Sequence, residues 1–176
     1  AIDTEPFAGP WWYRHEFTVA RGDQSTVRLI LEGLNYSADV WVNGQQVGNR
    51  DEIVGSFRLF EIDITAALVA GNNVLAIEVF PPQPGDPTIG FVDWNPTPPD
   101  NNMGLWRPVK LRVTGEIGID EVFVHSDLDI ESLDRASLTI SAKVTNFGSH
   151  PLTTKVTARI DNAIEVEQVL ELEPNE

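Results

Sequence analysis

Residues 91–107 hold the densest set of side chains able to do chemistry: two carboxylates (Asp93, Asp100), three amides (Asn95, Asn101, Asn102), two tryptophans (Trp94, Trp106) and Arg107. Carboxylates and amides at this spacing can accept hydrogen bonds from hydroxyls or pair with a protonated amine. An indole face suits the apolar face of a ring-shaped polar ligand. Pro96, Pro98 and Pro99 fix φ and remove donors, so the run is stiffer than a connector needs to be. It enters an alternating strand, residues 109–113. A rigid polar loop on a β scaffold presents a binding surface.

The elements that position this loop follow from period-2 alternation. Tyr13, His15, Phe17 and Val19 alternate with Arg14, Glu16 and Thr18, which makes His15 a core histidine. Val27, Leu29 and Leu31 define a second strand, and residues 38–42 a third that ends at Asn43-Gly44, a type I′ hairpin signal. Residues 45–47 return, 50–55 form a polar loop, and 57–64 form a strand with Phe60, Ile62 and Ile64 on one face. Thr65 caps one helical turn, residues 66–69, closed by Gly71. Leu75, Ile77 and Val79 alternate before the proline-rich stretch from Pro81. Short strands, little helix and Gly/Pro turns predict an all-β, antiparallel β-sandwich. Beyond Gly115 aromatics thin out and four cleaner strands follow, at 122–124, 138–144, 156–160 and 164–172. Two domains are therefore expected, 1–116 and 117–176, with 1–10 as an arm.

Composition excludes several classes. The chain has 176 residues and a net charge of −15, which repels nucleic acid phosphates. The same charge favours approach of a cationic substrate, or simply keeps the chain soluble. No run approaches a membrane span. With no cysteine, and His15, His125 and His150 scattered, no metal site is expected. Asp127, Asp129 and Glu131 lack the glycine and terminal ligand of a calcium loop and read as a solvated acidic turn. No phosphate-binding glycine loop is present, and no cofactor is expected. Asn35-Tyr36-Ser37 matches a glycosylation acceptor, a pattern common by chance. Residues 1–20 lack a signal-peptide pattern, so either a signal has been removed or the chain begins inside a longer one. The expected location is secreted or periplasmic.

Taken in order, Trp11-Trp12-Tyr13-Arg14, residues 38–44, Asp63-Ile64-Thr65, residues 71–75 and Gly104-Leu105-Trp106-Arg107 resemble the N-terminal sugar-binding domain of glycoside hydrolase family 2. Residues 92–107 are most similar to its exo-β-D-glucosaminidase branch; the β-mannosidase and β-galactosidase branches share most of the other motifs. The resemblance implies a jelly-roll sandwich followed by an incomplete immunoglobulin-like one. It also implies a non-catalytic role in a retaining exo-β-glycosidase, with a β-linked glucosamine substrate and a catalytic (β/α)₈ barrel domain of the same polypeptide as partners. A stand-alone carbohydrate-binding module is the alternative.

In the family a carboxylate upstream of the Gly104 motif contacts sugar hydroxyls, which makes Asp93 or Asp100 the substrate ligand. The other reading of either is a turn cap. Trp94 is the stacking candidate, Asn101 a further binding residue, and Trp106 a core- or edge-packing residue. Trp11 and Trp12 close the sandwich or meet a neighbouring domain, while Trp41 covers the face of its sheet opposite Val40 and Val42. Arg14 and Arg107 are expected to hold loops or domain contacts, with Asp39 or Asp63 as partners. The nucleophile and acid/base, which stand about 5–5.5 Å apart in a retaining enzyme, belong to the barrel, so no catalytic residue is assigned here.

Overall fold

The computed structural model describes residues 3–23, 25–90, 97–161 and 164–175. Its strands are β1 (Trp11–Thr18), β2 (Thr26–Leu31), β3 (Leu34–Asn35), β4 (Ser37–Val42), β5 (Gln45–Gly48), β6 (Phe60–Asp63), β7 (Asn72–Phe80), β8 (Gly104–Leu105), β9 (Val109–Thr114), β10 (Ile117–Leu128), β11 (Ala136–Asn146), β12 (Leu152–Ile160) and β13 (Ile164–Leu172). The chain divides into two compact units, residues 1–21 with 27–113, and residues 22–26 with 114–176.

The first unit is an antiparallel sandwich. One sheet has the order β1-β7-β4-β5, a second β6-β2-β9, and the short pair β3-β8 closes one end. Registers Ala38↔Val79, Val40↔Ile77 and Val42↔Leu75 place the alternating apolar residues of β4 and β7 on the same face. They pack with Val27, Leu29 and Leu31 of β2 into a core in which nearly every side chain is sealed from water.

Turn chemistry locks this arrangement. Asn43 and Gly44 both have positive φ, as a type I′ turn requires. The Asn43 amide donates to Ala67 O and to Asn73 Oδ1, each at 2.8 Å. Asn73 is fully buried and spends its own amide on Val69 O and Gly71 O.

Three sequence expectations are corrected here. His15 is exposed, because β1 is an edge strand whose inward face opens on a groove of about 580 Å³ shared with Leu105, Val109 and Leu111. Alternation gives a side chain's face and carries no information on whether anything covers that face. The strand expected over 57–64 is confined to Phe60–Asp63, and Phe57 and Leu59 are exposed. The helical turn is a short 3₁₀ segment, Thr65–Ala67, whose first N–H is taken by Asp63 Oδ1 at 2.8 Å. The Thr65 hydroxyl instead accepts the Val27 N–H, tying the turn to β2.

The second unit consists of two antiparallel hairpins, β10-β11 and β12-β13. Fully buried Asn146 joins them by donating to His150 O and Leu172 O. β10, β11 and β12 are longer than the sequence pattern predicts, while β13 spans the expected residues. Asp129 turns the chain between β10 and β11. Its carboxylate accepts from the Ser132 hydroxyl at 2.9 Å and from the Glu131 N–H at 3.0 Å. The Ser132 hydroxyl, followed by the backbone N–H groups of Glu131 and Ser132, holds the Asp129 carboxyl below the usual aspartate range. A depressed folded pKa gives stabilisation that is present above the unfolded value and lost as pH falls through the folded one. NMR titration of the Asp129 carboxyl is expected to give a midpoint below that of an unstructured aspartate, and Ser132→Ala to raise it. An unchanged midpoint in Ser132→Ala would remove the hydroxyl as its cause.

Candidate functional site

Asp93 and Trp94, with Asn95 and Pro96, lie outside the described residues. The described part of the loop begins at Thr97 and is built from local turns. Asn101 N–H donates to Pro98 O at 3.1 Å, and Met103 N–H to Asp100 O at 2.9 Å. Asn101 and Asn102 adopt φ of 50° and 55°, a left-handed pair that asparagine tolerates better than most residues. Asp100 Oδ1 accepts the Asn102 N–H at 3.0 Å. Asp100 is thus a turn cap with one of its carboxylate oxygens, and it is half-buried, while Asn101 is exposed.

The loop is seated by groups that sequence reasoning missed. Asn35 is completely buried and donates to Asn101 O at 3.2 Å and Asn102 O at 2.9 Å. Its carbonyl oxygen accepts the hydroxyls of Ser56 and Thr88, both at 2.6 Å. With its amide sequestered, Asn35 is no glycosylation acceptor in the folded domain.

Beyond the turn, Gly104 pairs with Asn35 and Leu105 with Leu34. Gly104 has φ of +134°, and a Cβ there would lie 2.6 Å from the Tyr13 hydroxyl. The glycine of this motif therefore answers both a backbone and a space requirement.

Trp106 packs at the edge. Its Nε1 donates to Ser56 O at 3.0 Å, its ring meets Phe57 edge-to-face at 5.8 Å, and it covers the Cα of Gly33 so closely that a Cβ would come within 2.7 Å. Arg107 lies over that indole, 4.8 Å from the ring centre. The expected partners of the two arginines differ. Asp39, nearly buried, is held by the Arg50 backbone N–H at 2.8 Å and by its Nε at 2.9 Å, and Asp63 caps the 3₁₀ turn. Arg14 pairs with Glu16 at 2.7 Å. Arg50 escaped notice because its partner is eleven positions away, and its guanidinium lies 3.5 Å over the Phe80 ring. Trp12 and Trp41 stack at 5.0 Å, and Trp11 stacks on Phe7 at 5.4 Å.

The described loop offers a carboxylate, an exposed amide and a rigid backbone. This set can orient a polyhydroxylated or amino-bearing ligand by hydrogen bonds.

The architecture is that of an all-β antiparallel sandwich domain with a polar loop. Residues 7–85 match the family described as glycosyl hydrolase 2 galactose-binding domain-like. Over these residues the chain is similar to the N-terminal domain of glycoside hydrolase family 2. It is 37% identical over 162 residues to an exo-β-D-glucosaminidase of Amycolatopsis orientalis, covering 90% of this chain and 15% of the relative. It is 36% identical to one from Streptomyces avermitilis, covering 90% of this chain and 18% of the relative. The crystal structure of the exo-chitosanase CsxA of Amycolatopsis orientalis superposes with a TM-score of 0.92 at 34% identity, over 99% of this chain and 20% of that one. A Bacteroides uniformis β-glucuronidase, at 22% identity and a TM-score of 0.75 over 98% of this chain and 22% of that one, shares the fold. The chain therefore spans less than a fifth of the length of these two glucosaminidases.

Proposed function

We propose that the chain is the non-catalytic N-terminal part of a retaining exo-β-glycosidase acting on β-linked glucosamine, and that it shapes one side of the sugar pocket. The reading is supported above all by a match to exo-β-D-glucosaminidases that runs through 90% of the chain, loop included, rather than stopping at the sandwich core. Asp93 or Asp100 contacts the non-reducing sugar, Trp94 walls the pocket and Asn101 adds an amide. Residues 117–176 form the start of an immunoglobulin-like domain. The nucleophile and acid/base come from the barrel domain of the same polypeptide. Contacts at such remote positions position the sugar for attack, although the domain moves no proton itself.

The test is division of labour. The isolated 176-residue chain is expected to hydrolyse no aryl β-glucosaminide, while the full polypeptide does. Turnover by the isolated chain, abolished by denaturation, would contradict a non-catalytic role.

A further inference from the structure

We propose that Asn35 is a positioning residue for the sugar-facing loop: its carboxamide clamps the 97–103 turn to the sandwich and thereby sets Asp100 and Asn101 at the rim. The inference rests on the reading of that loop as a sugar contact. An amide has two donors and an acceptor with two lone pairs, and in Asn35 all four are used. The two donors go to consecutive carbonyls, Asn101 O and Asn102 O, immediately after Asp100. The acceptor takes Ser56 from the segment before β6 and Thr88 from the segment after β7. The side chain therefore ties three separate loops to β3 at one fully buried point.

The hydrogen bonds Asn101 N–H to Pro98 O, Met103 N–H to Asp100 O and Asn102 N–H to Asp100 Oδ1 are internal to the turn. They give it shape without fixing where it stands. The Asn35 side chain, together with the β3–β8 pairing that follows the turn, supplies the location. Ser56 extends the clamp, since its hydroxyl serves Asn35 while its carbonyl receives the Trp106 indole N–H. Side chains that lack either half of the carboxamide fail these demands. Aspartate keeps the acceptor half but lacks the donors, and leucine keeps the shape but takes their partner from two carbonyls and two hydroxyls, of which the Ser56 hydroxyl belongs to a buried residue.

A positioning role differs from a merely structural one in its dependence on what is being positioned. In the full polypeptide, Asn35→Ala is expected to lower kcat/KM for an aryl β-D-glucosaminide about tenfold. In a background where Asp93 and Asp100 are both alanine it is expected to cost less than about twofold more, because the loop then has no carboxylate left to present. Asn35→Asp should behave like Asn35→Ala. If Asn35→Ala does not fold, Thr88→Val, which removes one hydroxyl from the carboxamide oxygen, carries the same comparison with a smaller loss in the parent background. An equal tenfold loss in both backgrounds would overturn the positioning role and leave Asn35 as a stability residue. An Asp93→Ala/Asp100→Ala enzyme with unchanged kcat/KM would instead overturn the sugar-facing reading itself, and the positioning role with it.

Discussion

Replacing Asp93 and Asp100 together with alanine in the full polypeptide is expected to lower kcat/KM for a β-glucosaminide by well over tenfold. A carboxylate that accepts from sugar hydroxyls, or pairs with the protonated amine of glucosamine, makes a charge-assisted hydrogen bond. Each tenfold corresponds to about 1.4 kcal/mol of transition-state stabilisation, the scale of one such contact. The turn geometry bears on which carboxylate matters. Asp100 already spends Oδ1 on the Asn102 N–H, so its removal loosens the turn as well as removing a charge. Single variants should therefore separate. A ligand shows its loss at fixed stability, whereas a cap loses stability and loop order together. Full kcat/KM in both single variants would remove these residues from the sugar site.

Gly104→Ala is expected to destabilise the sandwich by roughly 3 kcal/mol, the combined scale of a strained backbone and an overpacked site. At φ of +134° an alanine is strained wherever its methyl points, and here the methyl meets the Tyr13 hydroxyl. Because Gly104 pairs with Asn35, the strain falls on the strand that carries the clamp. Chemical denaturation of the domain should show a lower midpoint with an unchanged slope. A midpoint equal to that of the parent would mean that β3 and β8 yield more easily than their geometry implies.

Much of this scaffold could be read from residue types alone. Alternation located the strands, because Leu75, Ile77 and Val79 must share a face. Asn43-Gly44 announced its turn because few residue pairs accept two positive φ values. The jelly-roll order came from family resemblance, since periodicity carries no information on which strand pairs with which. The clustering of carboxylates, amides and prolines singled out residues 91–107 as the candidate loop. What seats that loop was hidden. Asn35 draws its partners from positions 56, 88, 101 and 102, and nothing local to Asn35-Tyr36-Ser37 distinguishes a buried clamp from an exposed acceptor. The exposure of His15 was hidden for a related reason: whether an edge strand is covered depends on elements far away in sequence. The Arg50–Asp39 pair likewise joins a loop to a strand without any periodic signal.

The claim that this domain serves a glucosamine-releasing enzyme is tested most directly by the substrate preference of the full polypeptide. Hydrolysis rates would be measured side by side on β-linked glucosamine oligomers and on the corresponding β-mannoside, β-galactoside and β-glucuronide. The account predicts release of glucosamine from the non-reducing end, with kcat/KM for the glucosaminide at least tenfold above the others. A preference for one of the other three sugars, or no hydrolysis of glucosamine oligomers by an otherwise active enzyme, would contradict it.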